Sequence, residues 1–178
     1  MSDLIVLTYE TEEKAAEALG KVAALKQDNV QKALIKIEDA ATAIKNENGK
    51  IKIRQTLESV VKGGNVVSGG LWGLLIGFLF GGPLLGVLLG MGINALLGRR
   101  IDLGIDNEFI DKVSDELAPG NSALFLLVNE TSPETVGESL SEFGGTLFHT
   151  SLSDEAKEAL SHAMDHEPIK AALEEQNS

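Results

Sequence analysis

Cysteine is absent from the 178 residues. That excludes disulfides, thiolate nucleophiles, cysteine-ligated zinc and iron–sulfur clusters together, and it suits a reducing cytoplasm. Positive charge is missing from most of the second half. Residues 1–62 carry 10 Lys and Arg against 10 Asp and Glu, whereas residues 99–178 carry 5 against 17. The whole formal net charge of −12 therefore lies in that last stretch. Such a surface repels phosphate backbones and anionic headgroups, so no nucleic-acid partner is expected and a polybasic route to a membrane is lacking. The opening MSDLIVLTYETEEK has no basic stretch and only a short apolar run, which reads as a strand and not as a signal peptide.

Charge of either sign is absent from Gly63 through Gly98, a run of 36 residues. Within it, residues 69–98 read GGLWGLLIGFLFGGPLLGVLLGMGINALLG. Glycines recur four apart at Gly69, Gly73, Gly77 and Gly81, then at Gly82, Gly86 and Gly90. Spacing by four lays them along one helical ridge, where a second helix can approach to backbone contact. Each glycine costs about 1 kcal/mol of helix propensity in water, so the pattern makes sense where close packing compensates. Gly81-Gly82-Pro83 interrupts the run, because proline opens a helix well and continues one poorly. The expectation is a glycine-zipper hairpin with helices near 66–80 and 83–97. Each arm would be about 22 Å long at ~1.5 Å per residue, shorter than a ~30 Å bilayer core.

A single crossing helix would put residues 1–62 and 99–178 on opposite sides of a membrane. Lys62 before the segment and Arg99-Arg100 after it argue instead for both ends on the cytoplasmic side. The hairpin would then dip into a bilayer or lie between copies of the chain; a buried hairpin of a soluble protein is the plainer alternative. Trp72 suits a headgroup anchor or a core position. The apolar faces, including Leu74, Leu75, Phe78, Leu79, Leu84, Leu85, Leu88 and Leu89, exceed what one small sandwich covers.

Around this segment the pattern is α+β. Leu4–Leu7 predicts a buried strand. Thr11 is the expected N-cap of a helix with Ala15, Ala18, Leu19, Val22 and Leu25 on one face. Ala33–Asn46 and KIKIR predict a hairpin through an Asn48-Gly49 type I′ turn. Beyond the segment, a helix over Ile105–Leu117 stops before Pro119-Gly120, SALFLLV is a buried strand, and a helix starts at Ser132-Pro133 and runs to Phe143. TLFHTSL is a strand, and Ser153 caps a last helix, DEAKEALSHAM. With the insertion removed, this order resembles a ferredoxin-like βαββαβ sandwich with an extra C-terminal helix. Residues 1–62 and 99–167 form two parts of one body, 63–98 the hairpin, and 168–178 a flexible tail.

Catalytic signals are thin. Gly90–Ala95 has the form GxGxxA, but it lies inside the glycine zipper and not after a strand, so it does not read as a dinucleotide fingerprint. No Walker lysine follows a glycine cluster. His162 and His166 are four apart beside Asp165 and Glu167, yet a third ligand is not in view, and His149 reads as a strand residue; no metal site is expected. No carboxylate pair stands out for acid–base work, so neither catalytic residues nor a cofactor is expected.

The stretches DLIVLTYETEEKAAEAL, IEDAATAIKNENGKIKIRQT, the glycine-rich segment, GIDNEFIDKVSDELAPGNSALFLLV and FGGTLFHTSL resemble the bacterial and archaeal family of predicted membrane proteins filed as domain of unknown function twelve-sixty-nine. The resemblance covers nearly the whole chain. It implies membrane association and, in some members, a stress-protein label; it implies no site residues. The functional expectation is a non-enzymatic, membrane-associated or self-assembling protein, in the cytoplasm or on the cytoplasmic side of the inner membrane. Its partners would be copies of itself and the lipid bilayer. The alternative is a small-ligand regulatory module on a ferredoxin-like sheet.

Overall fold

SALFLLV, residues Ser122–Val128, is buried at every position, as befits a strand covered on both faces, where alternation disappears from the sequence. A computed structural model describes residues 2–27, 36–49, 51–63, 70–80, 104–129 and 132–164. Its strands are β1 (Ser2–Tyr9), β2 (Ile37–Lys45), β3 (Ile51–Thr56), β4 (Ser122–Val128) and β5 (Thr146–Leu152). The helices among these residues are α1 (Lys14–Gln27), α2 (Leu57–Lys62), α3 (Gly70–Phe80), α4 (Asn107–Glu116), α5 (Pro133–Ser139) and α6 (Asp154–Met164), with a 3-10 turn at Ser141–Phe143. The class is α+β, as expected.

The strands form one sheet in the order β3-β2-β4-β1-β5, antiparallel at every described pairing. β4, the strand that follows the apolar segment, sits between β1 and β2. Strands from before and after the segment therefore share one sheet.

Period-two alternation sorts the side chains between two cores. Ile5, Leu7, Tyr9, Leu124, Leu126 and Val128 meet α1, α2 and α5 through Ala15, Ala18, Leu19, Val22, Leu57 and Val136. On the opposite face Leu4, Val6, Ala41, Ala43, Phe125 and Leu127 meet α3, α4 and α6 through Trp72, Leu75, Leu79, Phe109, Val113 and Leu160.

α3 is the described part of the predicted first arm, and it is a core helix. Six consecutive residues, Trp72 to Gly77, are buried within the single chain. That exceeds one turn of about 3.6 residues, so the helix is enclosed on every side. Trp72 stacks at a tilt on Phe125 with ring centroids 6.2 Å apart, and Phe80 meets the same ring edge-on at 6.3 Å. Leu74, Leu75 and Leu79, expected to be surplus faces, are 1%, 0% and 6% exposed. No helix among the described residues is long and apolar enough to cross a membrane. The second arm, its Gly81-Gly82-Pro83 break and the C-terminal tail lie outside the described residues.

Local expectations met three corrections. The β2–β3 hairpin closes at Lys45↔Ile51, and the Gly49 N–H donates to the Asn46 carbonyl at 2.9 Å. The turn thus spans Asn46–Gly49, and Asn48-Gly49 is not the centre of a two-residue loop. α2 was not expected; Thr56 caps it, accepting from the Ser59 N–H while Ser59 Oγ accepts from the Thr56 N–H. The predicted helix over Pro133–Phe143 breaks at Leu140 into α5 and the 3-10 turn. Ser132 and Ser153 cap α5 and α6 as their sequence positions imply.

Candidate functional site

Where β1 ends and α1 begins, the chain leaves the sheet beside the start of β5, and a cavity of about 340 Å³ opens there. Thr8 and Tyr9 from β1, Glu10 and Thr11 from the turn, and Lys14 from the head of α1 line one side. Glu116 at the end of α4, Asn121, Phe143, Gly145 and Thr146 line the other. The wall carries one ammonium, two carboxylates, an amide, threonine hydroxyls and two aromatic rings.

Several contacts fix this wall. Ser122, fully buried at the start of β4, donates its hydroxyl to the Thr11 carbonyl at 2.5 Å and accepts the Ala15 N–H at 3.2 Å. It does for α1 what Thr11 was expected to do, satisfying a first-turn N–H that has no partner within the helix. Asn121 Nδ2 donates to the Glu116 carbonyl at 3.0 Å, which holds the loop leading into β4. Gly145 has φ of +89°, and a Cβ there would lie 2.7 Å from both the Thr8 carbonyl oxygen and a Tyr9 ring carbon. Only glycine allows β5 to start this close to β1.

Tyr9 is 3% exposed, and its hydroxyl has no hydrogen-bond partner among the described residues. Burial pushes its phenol up to about 12, so it stays protonated at neutral pH, a donor without an acceptor. Buried hydroxyls ordinarily find partners; Tyr9 lines the cavity, but its hydroxyl oxygen is itself enclosed.

On the opposite core face, burial raises the Asp39 carboxyl, while the Ala40 N–H and the Trp72 indole oppose the rise. Trp72 Nε1–H is buried and falls short of a full hydrogen bond; the carboxylate feels it electrostatically without meeting bonding geometry. A second polar cluster clips β1, β2 and α6 together. Lys157 Nζ donates to Ser2 Oγ at 2.7 Å, and Ser2 Oγ donates to Glu38 Oε1 at 2.8 Å. The serine proton is committed to a carboxylate and the amine donates instead of accepting, so this is not an activated nucleophile.

The predicted site residues scatter. Trp72, Gly73 and Gly77 lie inside the core on α3, while Gly69, Gly81, Gly82, Pro83, Gly86, Gly90 and the GxGxxA stretch fall outside the described residues. His149 is exposed on β5 and His162 lies on α6, with His166 outside the described residues. Among the described residues no group of three or more His, Cys, Asp or Glu is placed to hold a metal ion. Sequence reasoning did not single out Tyr9 or Ser122; a lone tyrosine at a strand end was the available signal for the cavity.

The architecture defines an α+β protein with a five-stranded antiparallel sheet covered by helices on both faces. Residues 66–165 match the family model described as protein of unknown function (DUF1269), and the chain belongs to that family. No curated protein and no solved structure matches it.

Proposed function

We propose that this is a non-enzymatic, self-associating protein whose apolar segment serves two packing tasks in succession. The observation that supports this reading is the closure of the second sheet face by α3 together with α4 and α6. Eleven residues of the charge-free run meet that need. The continuing stretch, 81–98, carries no charged residue, and a second copy or lipid is its proposed cover. The zipper contact between copies is then made by Gly81, Gly82, Pro83, Gly86 and Gly90, while Gly73 and Gly77 serve the core. The strand order β2-β4-β1-β5, with α1 and α5 on one face, supports a ferredoxin-like body to which β3 and a second helical layer have been added. The proposed location is the cytoplasmic side of the inner membrane, or the cytoplasm as a large assembly.

Native mass measurement with and without mild detergent tests the reading, with vesicle flotation alongside. The parent is expected to assemble without detergent, and Gly86→Leu/Gly90→Leu to lower the assembled mass. A parent that stays monomeric in buffer and floats with vesicles would transfer the role of 81–98 to lipid.

A second reading is favoured by the cavity at Tyr9: a module that binds one small polar molecule. Its volume sits at the lower end of ligand pockets, about 300–1,000 Å³, and Lys14, Glu116 and Asn121 line it with polar groups. A thermal-shift screen of small polar metabolites, repeated on Lys14→Ala at the cavity wall, separates it from the first reading; an absence of any Lys14-dependent shift argues against it.

A further inference from the structure

The two ends of the sheet are built differently. Edge strands expose unpaired N–H and C=O groups that template pairing with another chain, and proteins guard them with lysines, prolines, bulges or short lengths. β3, at one end, carries Lys52 and Arg54, its pairing with β2 is bulged between Thr42 and Ala43, and α2 follows it without a break. β5, at the other end, has none of these guards. Its seven residues, TLFHTSL, contain no proline and no Lys, Arg, Asp or Glu, although they belong to the region that holds the chain's entire net charge. They pair with β1 in unbroken register from Ser2↔Leu152 to Thr8↔Thr146. Among the described residues no strand pairs with the outer side of β5, and Thr146, His149 and Ser151 are exposed.

From this asymmetry we propose that β5 is the surface by which two copies join, pairing antiparallel with its own image across a two-fold axis to make one continuous ten-stranded sheet. The inference rests on the self-association proposed above and adds a second, distinct contact to it. The occupant is a second copy because the strand is complementary to itself. With the axis near His149, Phe148 comes opposite Thr150 and Leu147 opposite Ser151, aromatic and aliphatic side chains against hydroxyls, with no carboxylate or ammonium facing its own twin. Within the acidic region after residue 98, which carries the whole −12, β5 brings no charged side chain to a contact between copies. Salt, which screens the net repulsion, strengthens the pairing.

Sedimentation of the full chain over a range of concentrations tests this, with hydrogen exchange on the same samples. His149→Lys places a guard on an exposed position of the edge; Arg54→Glu does the same chemical violence to the other edge. The expected result is at least a tenfold weaker association for His149→Lys, an unchanged one for Arg54→Glu, and protection of β5 amides that rises with protein concentration in the parent. An assembled parent whose mass and β5 exchange ignore His149→Lys overturns the β5 contact and leaves self-association standing. A parent that is monomeric at every concentration overturns both.

Discussion

The two faces of the sheet are closed by helices of opposite character. On one, α1 buries Ala15, Ala18, Leu19, Val22 and Ala23, turns Glu17 outward and keeps its three lysines half-exposed. It is an amphipathic helix connecting strands in the ordinary way, and its small residues let it lie close to the sheet. On the other, α3 has no polar face at all, and its bulk is aromatic and aliphatic: Trp72, Leu74, Leu75, Ile76 and Leu79. A helix hydrophobic all round must be enclosed, and protein can enclose it as completely as lipid can. Greasiness therefore states that a segment leaves water, and says nothing about what replaces the water.

Replacing Trp72 by Ala should break the second face first. The indole fills the space over Phe125, and truncating a large buried aromatic costs about 3–5 kcal/mol. Denaturant unfolding monitored by far-UV CD measures it. A loss under about 1 kcal/mol would show that Trp72 is not a core residue. The junction between the faces is next. Gly145→Ala adds a Cβ at 2.7 Å from the Thr8 carbonyl oxygen and from the Tyr9 ring, at a φ that L-residues avoid. Strain of about 1–3 kcal/mol is expected before any repacking, read as a lower Tm.

On the first face, Ser122→Ala removes one acceptor and one donor that join β4 to the head of α1. The expected cost is about 1–2 kcal/mol, that of losing a helix cap, with faster amide exchange in the first turn of α1. Tyr9→Phe runs the other way. Its hydroxyl is buried without a partner, so deleting it should leave stability unchanged or raise it by about 1 kcal/mol. The pH dependence carries the same information. The native state holds the Tyr9 proton up to about 12, whereas an unfolded chain releases it near the ordinary value of about 10. Stability thus falls as pH rises between those values, and Tyr9→Phe should flatten that alkaline limb.

Asp39→Asn gives the smallest effect and sharpens the comparison from the Trp72 side. Burial raises the Asp39 carboxyl, so the native state keeps this proton to higher pH than the unfolded chain does. Stability from this group is present at low pH and is lost as pH rises from the ordinary carboxyl range through the raised value. The amide removes that dependence, and Tm at neutral pH should stay level or rise slightly. A clear fall in Tm would show that the ionised carboxylate is held by the Trp72 indole and Ala40 N–H more firmly than burial opposes it.

How far the sequence reveals all this depends on the range of the interaction. The five strands, α1, α4 and α6 were legible from periodicity and composition, and Ser132 and Ser153 were legible as caps because a cap and the N–H it serves lie within three residues. The Asn48-Gly49 pair was read as a tight turn, but the register at Lys45↔Ile51 made the loop longer. Tertiary pairing overrode the local signal. Thr11 looked like the cap of α1 for the same local reason. The group that serves the Ala15 N–H comes from Ser122, 107 residues away, and no window along the chain contains both.

The sequence by itself determined that residues 63–98 carry no charge, that the negative charge gathers after them, and that strands stand on both sides of them. These follow from side-chain chemistry and the periods of helix and strand, which are properties of the chain before it folds. Only the tertiary structure decided that β4 enters between β1 and β2, that α3 closes a sheet face, and that β3 and β5 stand at the two ends of the sheet formed by the described residues. An apolar helix gains about the same free energy from any dry surroundings, roughly 25 cal/mol per Å² of buried apolar surface. The choice among those surroundings is made by whichever surface lies within reach once the strands have paired.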